Sequence, residues 1–537
     1  MREATAENCC AVCFLVAETN SLAMPPGPMI PQRRLGTDVG SIISGDGIFT
    51  LPVYGAILLQ RSSARGTKIT STILLTQPIR IPFDSASTRY RAGAILAYHG
   101  LFLVLAPDAI RYSMGWIGWG ILAALVIFAS IYFLIRFDAR STVKRIPDPL
   151  VVLLGLMLMS LLWSQYRPQS VLSVALQFGG TAFALFLVNQ FGWRQLLNIL
   201  SNTLRLILVA SLLFELLASW LGQIEPIFPN YKGEPPTRAY LWSQGNLFEG
   251  DRIQGIVGNA NLLAFLAVLG ALVFLIEMIV TAKGRSVPAA SLVLSLLIAA
   301  LAQSATMQVA GAIVLFAAAV AVIAEGKNPK VRRTIYLRSL LILGGLGVLG
   351  LVFREEAFEL VGRSADATGR FEIWSAVWTL VVEKPVAGWG WIGYWRPGVE
   401  PWEGLAVIGG VPMYQAHNAA LDVLVQLGLL GLGIFLWLMV ATFVRLWHIA
   451  VRHTSPLYLY PLFIFLALAA QSLAESRLLI EGGWVLLVLV AVKSQEGFTQ
   501  LEPMGTSTKI SKLFRYVRRS LRRLTLQGTS RRSPTSR

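Results

Sequence analysis

The sequence predicts an all-α, polytopic membrane protein, and three observations carry that prediction. Of the 537 residues, 55% are hydrophobic and only 14% are charged, and the mean hydropathy is +0.61. Apolar runs of roughly 15–25 residues recur through most of the chain, each able to cross ~30 Å of hydrocarbon as a helix. Lysine and arginine collect in the tails and in alternate connections, as the positive-inside rule requires of a multi-span protein. A soluble chain of this length would need far more charge to cover its surface.

The apolar runs give twelve candidate helices, at about 92–107, 115–136, 149–163, 171–189, 200–221 and 260–281, then about 288–304, 308–324, 335–353, 419–444, 457–473 and 478–493. Residues 1–91 precede them and hold Pro25-Pro26-Gly27-Pro28, Ser, Thr and short apolar pieces without a sustained period. They are expected to form a poorly ordered cytoplasmic tail, since a secretory signal needs charge followed by an unbroken apolar core. All three cysteines (Cys9, Cys10 and Cys13) lie in that tail, so no disulfide framework or metal cluster is implied for residues 92–493. Residues 494–537 form a basic cytoplasmic tail, in which Ser511 to Leu526 has the pattern of a basic amphipathic helix on a membrane surface or of a plain solvated tail.

Charge sets the expected orientation. Arg136, Arg140, Lys144 and Arg145 follow the second helix, Arg194 the fourth, Lys283 and Arg285 the sixth. Lys327, Lys330, Arg332 and Arg333 follow the eighth, and Arg445, Arg452 and His453 the tenth. Twelve spans put all of these, and both termini, on the cytoplasmic side. The net charge of +17 is thereby explained by anionic lipid rather than nucleic acid as the partner of the basic segments. Two long connections, 222–259 and 354–418, then fall on the external face. The second, between helices nine and ten, carries five Lys/Arg against eight Asp/Glu and is too long for a plain connector.

That loop holds most of the residues equipped for chemistry. His417-Asn418 stands where the loop becomes an apolar helix. Asn418 is a good N-cap, and free N–H groups at a helix start favour phosphate. An imidazole there can act as a general base near pH 7, although a lone interfacial histidine more commonly just hydrogen-bonds a loop. Arg370 follows Thr368-Gly369 and can bind phosphate bidentately or simply pair with Glu372. After it, Phe371, Trp374, Val377, Trp378 and Val381 fall at helical spacing, which predicts an amphipathic helix along the membrane surface, ended at Pro385 and Gly388-Trp389-Gly390-Trp391. In the other external loop Arg252 leads into Gly258-Asn259-Ala260-Asn261, a second asparagine-capped helix start with an arginine nearby. Glu215, Glu277 and Gln303 are rare polar residues within apolar segments, functional by default or else placed near interfaces. The sequence has no P-loop, no nucleotide fingerprint and no His/Cys cluster at metal spacing.

These motifs together resemble the O-antigen ligase and Wzy-type polymerase superfamily of bacterial envelope proteins. The ligase pattern His-[Asn/Ser/Gln]-x9-Gly-x2-[Gly/Thr/Tyr] is met by His417-Asn418, nine residues, Gly428, two residues and Gly431. Thr368-Gly369-Arg370 with Trp374, the Pro385 to Gly390 turn, Gly258-Asn259-Ala260-Asn261, Ser160-Leu161-Leu162-Trp163-Ser164 and, more loosely, Ser472 with Glu475-Ser476 also look like this family, in the expected order over about residues 150–490. The chain departs from it at Ala305, where members often carry Arg or Lys after a serine.

The resemblance implies a metal-independent, inverting glycosyltransferase without a cofactor, working on the external or periplasmic face of the bacterial plasma membrane. Its donor would be an oligosaccharide on undecaprenyl pyrophosphate and its acceptor a sugar or glycolipid, with membrane lipid around it and room for a chain-length regulator as partner. His417 would deprotonate the acceptor, Arg370 would hold the leaving pyrophosphate, and Arg252, Asn259, Asn261 and Asn418 would contribute to substrate binding. Polymerisation, as for exopolysaccharide or O-antigen, is preferred over ligation. A transporter or flippase is the alternative, and it would require inverted repeats and broken helices with charge near the membrane midplane.

Overall fold

The computed structural model describes residues 56–62, 68–74, 86–137, 139–229, 237–281, 284–324, 327–352, 369–453 and 455–496. The cysteines, Thr368 and the 511–526 segment lie outside the described residues. Among those described, Ala56–Ser62 (β1) and Lys68–Leu74 (β2) pair as an antiparallel hairpin, with Ala56 opposite Leu74. The hairpin belongs to a compact unit of its own, Met1–Pro82, separate from the helical unit Phe83–Arg537.

The helical unit has a helix at each of the twelve expected positions. They are α1 (Ala86–Leu105), α2 (Pro107–Arg136), α3 (Asp148–Met159), α4 (Arg167–Gln190), α5 (Trp193–Leu221), α6 (Ala260–Val280), α7 (Ser286–Leu301), α8 (Ala305–Ala324) and α9 (Pro329–Val352). After α10 (Arg370–Glu383) come α11 (Ala419–Arg452), α12 (Tyr460–Ser472) and α13 (Glu481–Lys493). Among the described residues five of these, α2, α4, α5, α6 and α11, are long and apolar enough to cross a membrane. The first helix starts at Ala86 rather than near residue 92, and the tenth expected helix runs on to Arg452.

Side chains mark the helix starts that matter for the site. The Asn259 side chain accepts from the Leu262 amide at 3.0 Å and begins α6; Asn418 does the same for Leu421 at 3.1 Å and begins α11. Each satisfies one of the amides that a helix leaves without a partner at its N-terminus. Helix α6 is apolar nearly all round, as a helix enclosed by others must be, and α13 is buried along almost its whole length against α4.

Helix α11 is broken at Gly428, whose φ of 65° interrupts the regular ladder. Freed backbone groups on either side are taken up by the turn after α10. Trp389 and Gly390 amides donate to the Val425 and Gln426 carbonyls at 3.1 and 2.8 Å, and the Leu429 and Leu430 amides donate to the Pro385 and Val386 carbonyls at 2.8 and 3.3 Å. Irregular backbone beside a membrane persists only where protein satisfies it in this way. The Gln426 side-chain oxygen adds two more bonds, from the Ile392 and Gly393 amides, each 2.9 Å. Ala419 to Leu427 is therefore a half-helix riveted to the loop.

The expected stripe on α10 divides between two faces. Val377 and Val381 join Ile373 and Leu380 in a second apolar core with Trp389, Trp395 and Trp402, whereas Phe371 and Trp378 are exposed. The loop thus builds its own small core, closed further by the two-residue strands Val407–Ile408 (β3) and Val411–Pro412 (β4).

Polar groups segregate to opposite ends of the bundle. At one end Arg145 and Lys493 both reach Glu496 at 2.6 Å, Arg332 donates to the Ala450 carbonyl at 2.7 Å, and the Tyr460 hydroxyl to the Trp193 carbonyl at 2.9 Å. At the other end lie Arg252, Asn261, Arg370, His417 and Glu475.

Candidate functional site

The site forms where three connections meet: the start of α6, the loop leading into α11, and the link between α12 and α13. His417 sits at the tip of the α11 half-helix with a φ of 51°, a left-handed conformation that a non-glycine residue adopts only when its surroundings enforce it. Those surroundings grip the peptide just before it. The Ala416 amide donates to Asp422 Oδ2 at 2.8 Å, and its carbonyl accepts from Trp374 Nε1 at 2.9 Å. Asp422, fully buried on the first turn of α11, also accepts from Trp395 Nε1 at 2.9 Å and from the Ser476 hydroxyl. One carboxylate thus ties α11, the loop core and the α12–α13 link to a single point.

His417 Nδ1 lies 3.1 Å from Glu475 Oε2. Glu475 is almost wholly buried, and it receives Gln415 Nε2 on the same oxygen at 2.7 Å and Asn261 Nδ2 on Oε1 at 3.0 Å. Burial works to raise its carboxyl, but the hydrogen bond and charge of His417, followed by Arg477 and Arg370, outweigh it and hold the group below its ordinary value. His417 itself is partly open to the surface, its side chain 21% exposed against 6% for Glu475.

Both expected arginines border this carboxylate. Arg370 Nη2 donates to the Ala474 carbonyl at 3.0 Å, next to Glu475. Arg252 reaches it through Asn261: Nη2 donates to Asn261 Oδ1 at 2.7 Å, and Nε to the Ala302 carbonyl at 3.2 Å. Ser304 also donates to Asn261 Oδ1, at 2.9 Å. Ala305 begins α8 directly after Ser304. Asn259 and Asn418 spend their side-chain oxygens on the helix caps, and Asn418 Nδ2 approaches the Leu473 carbonyl at 3.5 Å. His417, Arg370, Arg252, Asn261 and Asn418 therefore come together, with Asn259 as the cap two residues before Asn261.

Two neighbours complete the surroundings. Arg477, partly buried, is ringed by Asp108 and Glu481, with Arg111 bonded to both carboxylates. Burial opposes its charge, but Asp108 and Glu481 more than compensate, so the guanidinium stays protonated. On the other side a groove of about 570 Å³ runs from Asn418 between α10 and α11, lined by Phe371, Trp374, Trp378, Leu421, Leu424 and Leu432.

Residues 290–436 match the family model described as O-antigen ligase. Over that stretch the chain is similar to the O-antigen ligase family. The matched stretch includes Arg370, His417 and the Gly428 break, begins after Arg252 and ends before Glu475. No curated protein matches the chain. This match and the apolar helices together indicate a multi-pass membrane protein, and the match supports a membrane enzyme acting on lipid-linked glycans.

Sequence reasoning missed Glu475 as a partner of His417, and it missed Gln415 and Asp422 altogether. A signal existed for Asp422, an acid in the first turn of an otherwise apolar helix. In the sequence Glu475 shows only as part of a loose motif, because its value depends on donors that stand as far away as Asn261.

Two carboxylates within apolar helices turn out to be structural. Glu215 accepts from the Gln254 and Gly255 amides at 3.0 and 2.6 Å and from Ser243 Oγ at 2.9 Å, anchoring the loop before α6. Glu277 pairs with Arg205 at 2.9 Å. Gln303 holds the Gly250 carbonyl at 2.8 Å.

Proposed function

We propose that the chain is an inverting glycosyltransferase that needs no metal and moves oligosaccharide from undecaprenyl pyrophosphate to a sugar hydroxyl on the external face of the plasma membrane. The observation that carries this reading is the site itself: an imidazole bonded to a buried carboxylate at the end of a half-helix, with two guanidinium groups beside it. In the reaction His417 Nε2 takes the proton from the acceptor hydroxyl as that oxygen bonds to C1 of the donor sugar. The bond from C1 to the diphosphate oxygen breaks, and its electron pair leaves with the lipid diphosphate. Attack opposite the leaving group inverts the anomeric centre. Arg370 and Arg252 offset the charge developing on the diphosphate, a task that fixed guanidinium groups in a site of low dielectric perform well. Arg252 brings its charge to the 302–304 segment, which lacks one at Ala305. The apolar groove from Asn418 to Leu432 suits the hydrocarbon tail of such a donor.

The segregation of Arg145, Arg332 and Lys493 to the end opposite His417 supports cytoplasmic termini and an external site. Polymerisation of repeat units is the preferred outcome, ligation to another glycolipid the next. A transporter would need charge near the midplane of its broken helices; the broken helix α11 carries Asp422 in its first turn and Arg452 in its last.

The test replaces His417 with Ala in the native host and follows lipid-linked units and surface polymer. Loss of polymer with build-up of the lipid-linked intermediate is expected. Normal polymer length with no intermediate would sink the enzymatic reading.

A further inference from the structure

We propose that Glu475 is the positioning residue of His417: its carboxylate fixes the imidazole as the Nδ1–H tautomer, aims Nε2 at the acceptor, and balances the charge that the ring gains. This deepens the proposed glycosyl transfer and rests on that reading.

The assignment follows from which groups must donate. Gln415 Oε1 accepts from the Ser476 amide at 3.0 Å, so the other end of that amide side chain, Nε2, is the donor facing Glu475. Asn261 Oδ1 is occupied by Arg252 and Ser304, so Asn261 Nδ2 is the donor facing Glu475. An ionised carboxylate only accepts, and Arg477 and Arg370 both favour its ionised form. Gln415 Nε2 also stands 3.4 Å from His417 Nδ1, but an Nδ1 lone pair would then face the ionised carboxylate at 3.1 Å, so the favoured direction is from Nδ1–H to Oε2. With Nδ1 protonated, the neutral ring holds its lone pair at Nε2, which has no hydrogen-bond partner among the described residues. That atom is the one able to take a proton from a hydroxyl.

The same bond strengthens as the reaction proceeds. When Nε2 accepts the proton the ring becomes imidazolium, and a neutral donor to a carboxylate becomes a charged one. The carboxylate keeps its charge throughout, and the proton remains on Nε2 until it leaves to solvent. Without Glu475 the ring is free to adopt the tautomer with hydrogen at Nε2, which has no lone pair there to take the proton, and to turn away from the acceptor. The chain Arg252–Asn261–Glu475–His417 also links a diphosphate contact to the base, so ordering of one supports ordering of the other.

The experiment compares wild type with Glu475→Gln, Glu475→Asp and His417→Ala in purified, detergent-solubilised full-length protein, using a lipid-diphosphate-linked glycan donor and a sugar acceptor. The sequence has only four histidines, so selective ¹⁵N-histidine labelling resolves the ring of His417 by its loss in His417→Ala. Wild type is expected to show a protonated Nδ1 and a bare Nε2 at His417, a signature that needs no substrate. Glu475→Gln is expected to mix the tautomers and to lower kcat on the order of 10²–10³-fold with little change in KM, the scale of a lost general-base contribution. Glu475→Asp, which keeps the charge on a shorter stem, is expected to recover part of both. An Nε2–H tautomer in wild type overturns the positioning role whatever the activity. So does a Glu475→Gln enzyme with normal kcat, or one altered in KM alone. Full activity in His417→Ala overturns the glycosyl-transfer reading and this role with it; loss there beside a fully active Glu475→Gln overturns the role alone.

Discussion

Gly428 faces the Val386 carbonyl so closely that a Cβ on it would stand 2.1 Å from that oxygen. From the other side, a Cβ on Gly388 would meet the Gln426 carbonyl carbon at 2.4 Å. The two glycines let two backbones cross without side chains between them, which is why the spacing from His417 to Gly428 matters physically. It sets the length of the half-helix that carries the histidine, and the crossing pins that half-helix to the loop.

Gly428→Ala should therefore disable the protein. A left-handed conformation alone costs about 1–3 kcal/mol for a residue with a side chain, and the clash is with backbone, which cannot swing aside. Gly433, on the continuing helix with open space about it, is the control. Gly433→Ala should be neutral or stabilising by roughly 0.5–1 kcal/mol, because alanine is the better helix former. Folded yield and thermal midpoints in detergent measure both. Equal stability of the two variants would show that the crossing does not matter.

Asp422 should behave as the anchor of the His417 loop. Its donors are Ala416, Trp395 and Ser476, and hydrogen bonds to a charged group are worth more than neutral ones. Asp422→Ala is expected to lose on the order of 2–4 kcal/mol and nearly all activity, Trp395→Phe about 1–2 kcal/mol with partial activity. Thermal unfolding beside turnover gives the ranking. A stable Asp422→Ala with normal turnover would remove the anchor role.

The helices were legible because apolar runs announce themselves locally, and His417 with Arg370 and Arg252 was legible because each stands at a polar edge of such a run. The reason for Gly428 was not, since nothing near it in sequence shows that Val386 will cross over it. Glu475 was hidden for a related cause. A carboxylate after an apolar helix looks the same whether it faces water or, as here, receives Asn261, Gln415 and His417 from two other connections. Phe371 and Trp378 illustrate the opposite error: the period placed them on one stripe with Val377, while the loop core selected Ile373 and Leu380 instead.

Glu215 tests whether a carboxylate inside an apolar helix must be functional. Its oxygens only accept, from two backbone amides and one serine, and a glutamine can keep the amide contacts while the serine hydroxyl turns to accept. Glu215→Gln should keep turnover within a few-fold, whereas Glu215→Ala leaves two buried amides without an acceptor and should cost about 2–4 kcal/mol. Loss of turnover in a well-folded Glu215→Gln would instead point to proton transfer through this residue.

Acid should remove a specific part of the stability. The folded-state carboxyl of Glu475 lies below its ordinary 4.5, because the His417 bond and charge outweigh burial. A depressed carboxyl stabilises the fold above its unfolded value, and that contribution is lost as the pH falls through the folded value. Wild type should exceed Glu475→Gln in thermal midpoint at neutral pH, and the gap should close as the pH drops below 4.5. A gap that stays constant into acid would mean the ionised form is not favoured by folding.

Arg370 carries the remaining prediction, because its two possible roles differ in what lysine can restore. The guanidinium donates to the Ala474 carbonyl and adds to the field on Glu475; in the proposed reaction it also grips the diphosphate. A lysine supplies the charge but not the planar fork. Arg370→Ala should lower kcat/KM on the order of 10²–10³-fold, the scale of a lost charge-stabilising contact. Arg370→Lys should recover only part of this if bidentate contact with the leaving diphosphate is what matters. Measured on the same lipid-linked donor, full recovery by lysine would reduce Arg370 to a point charge, and normal turnover in Arg370→Ala would remove it from the site.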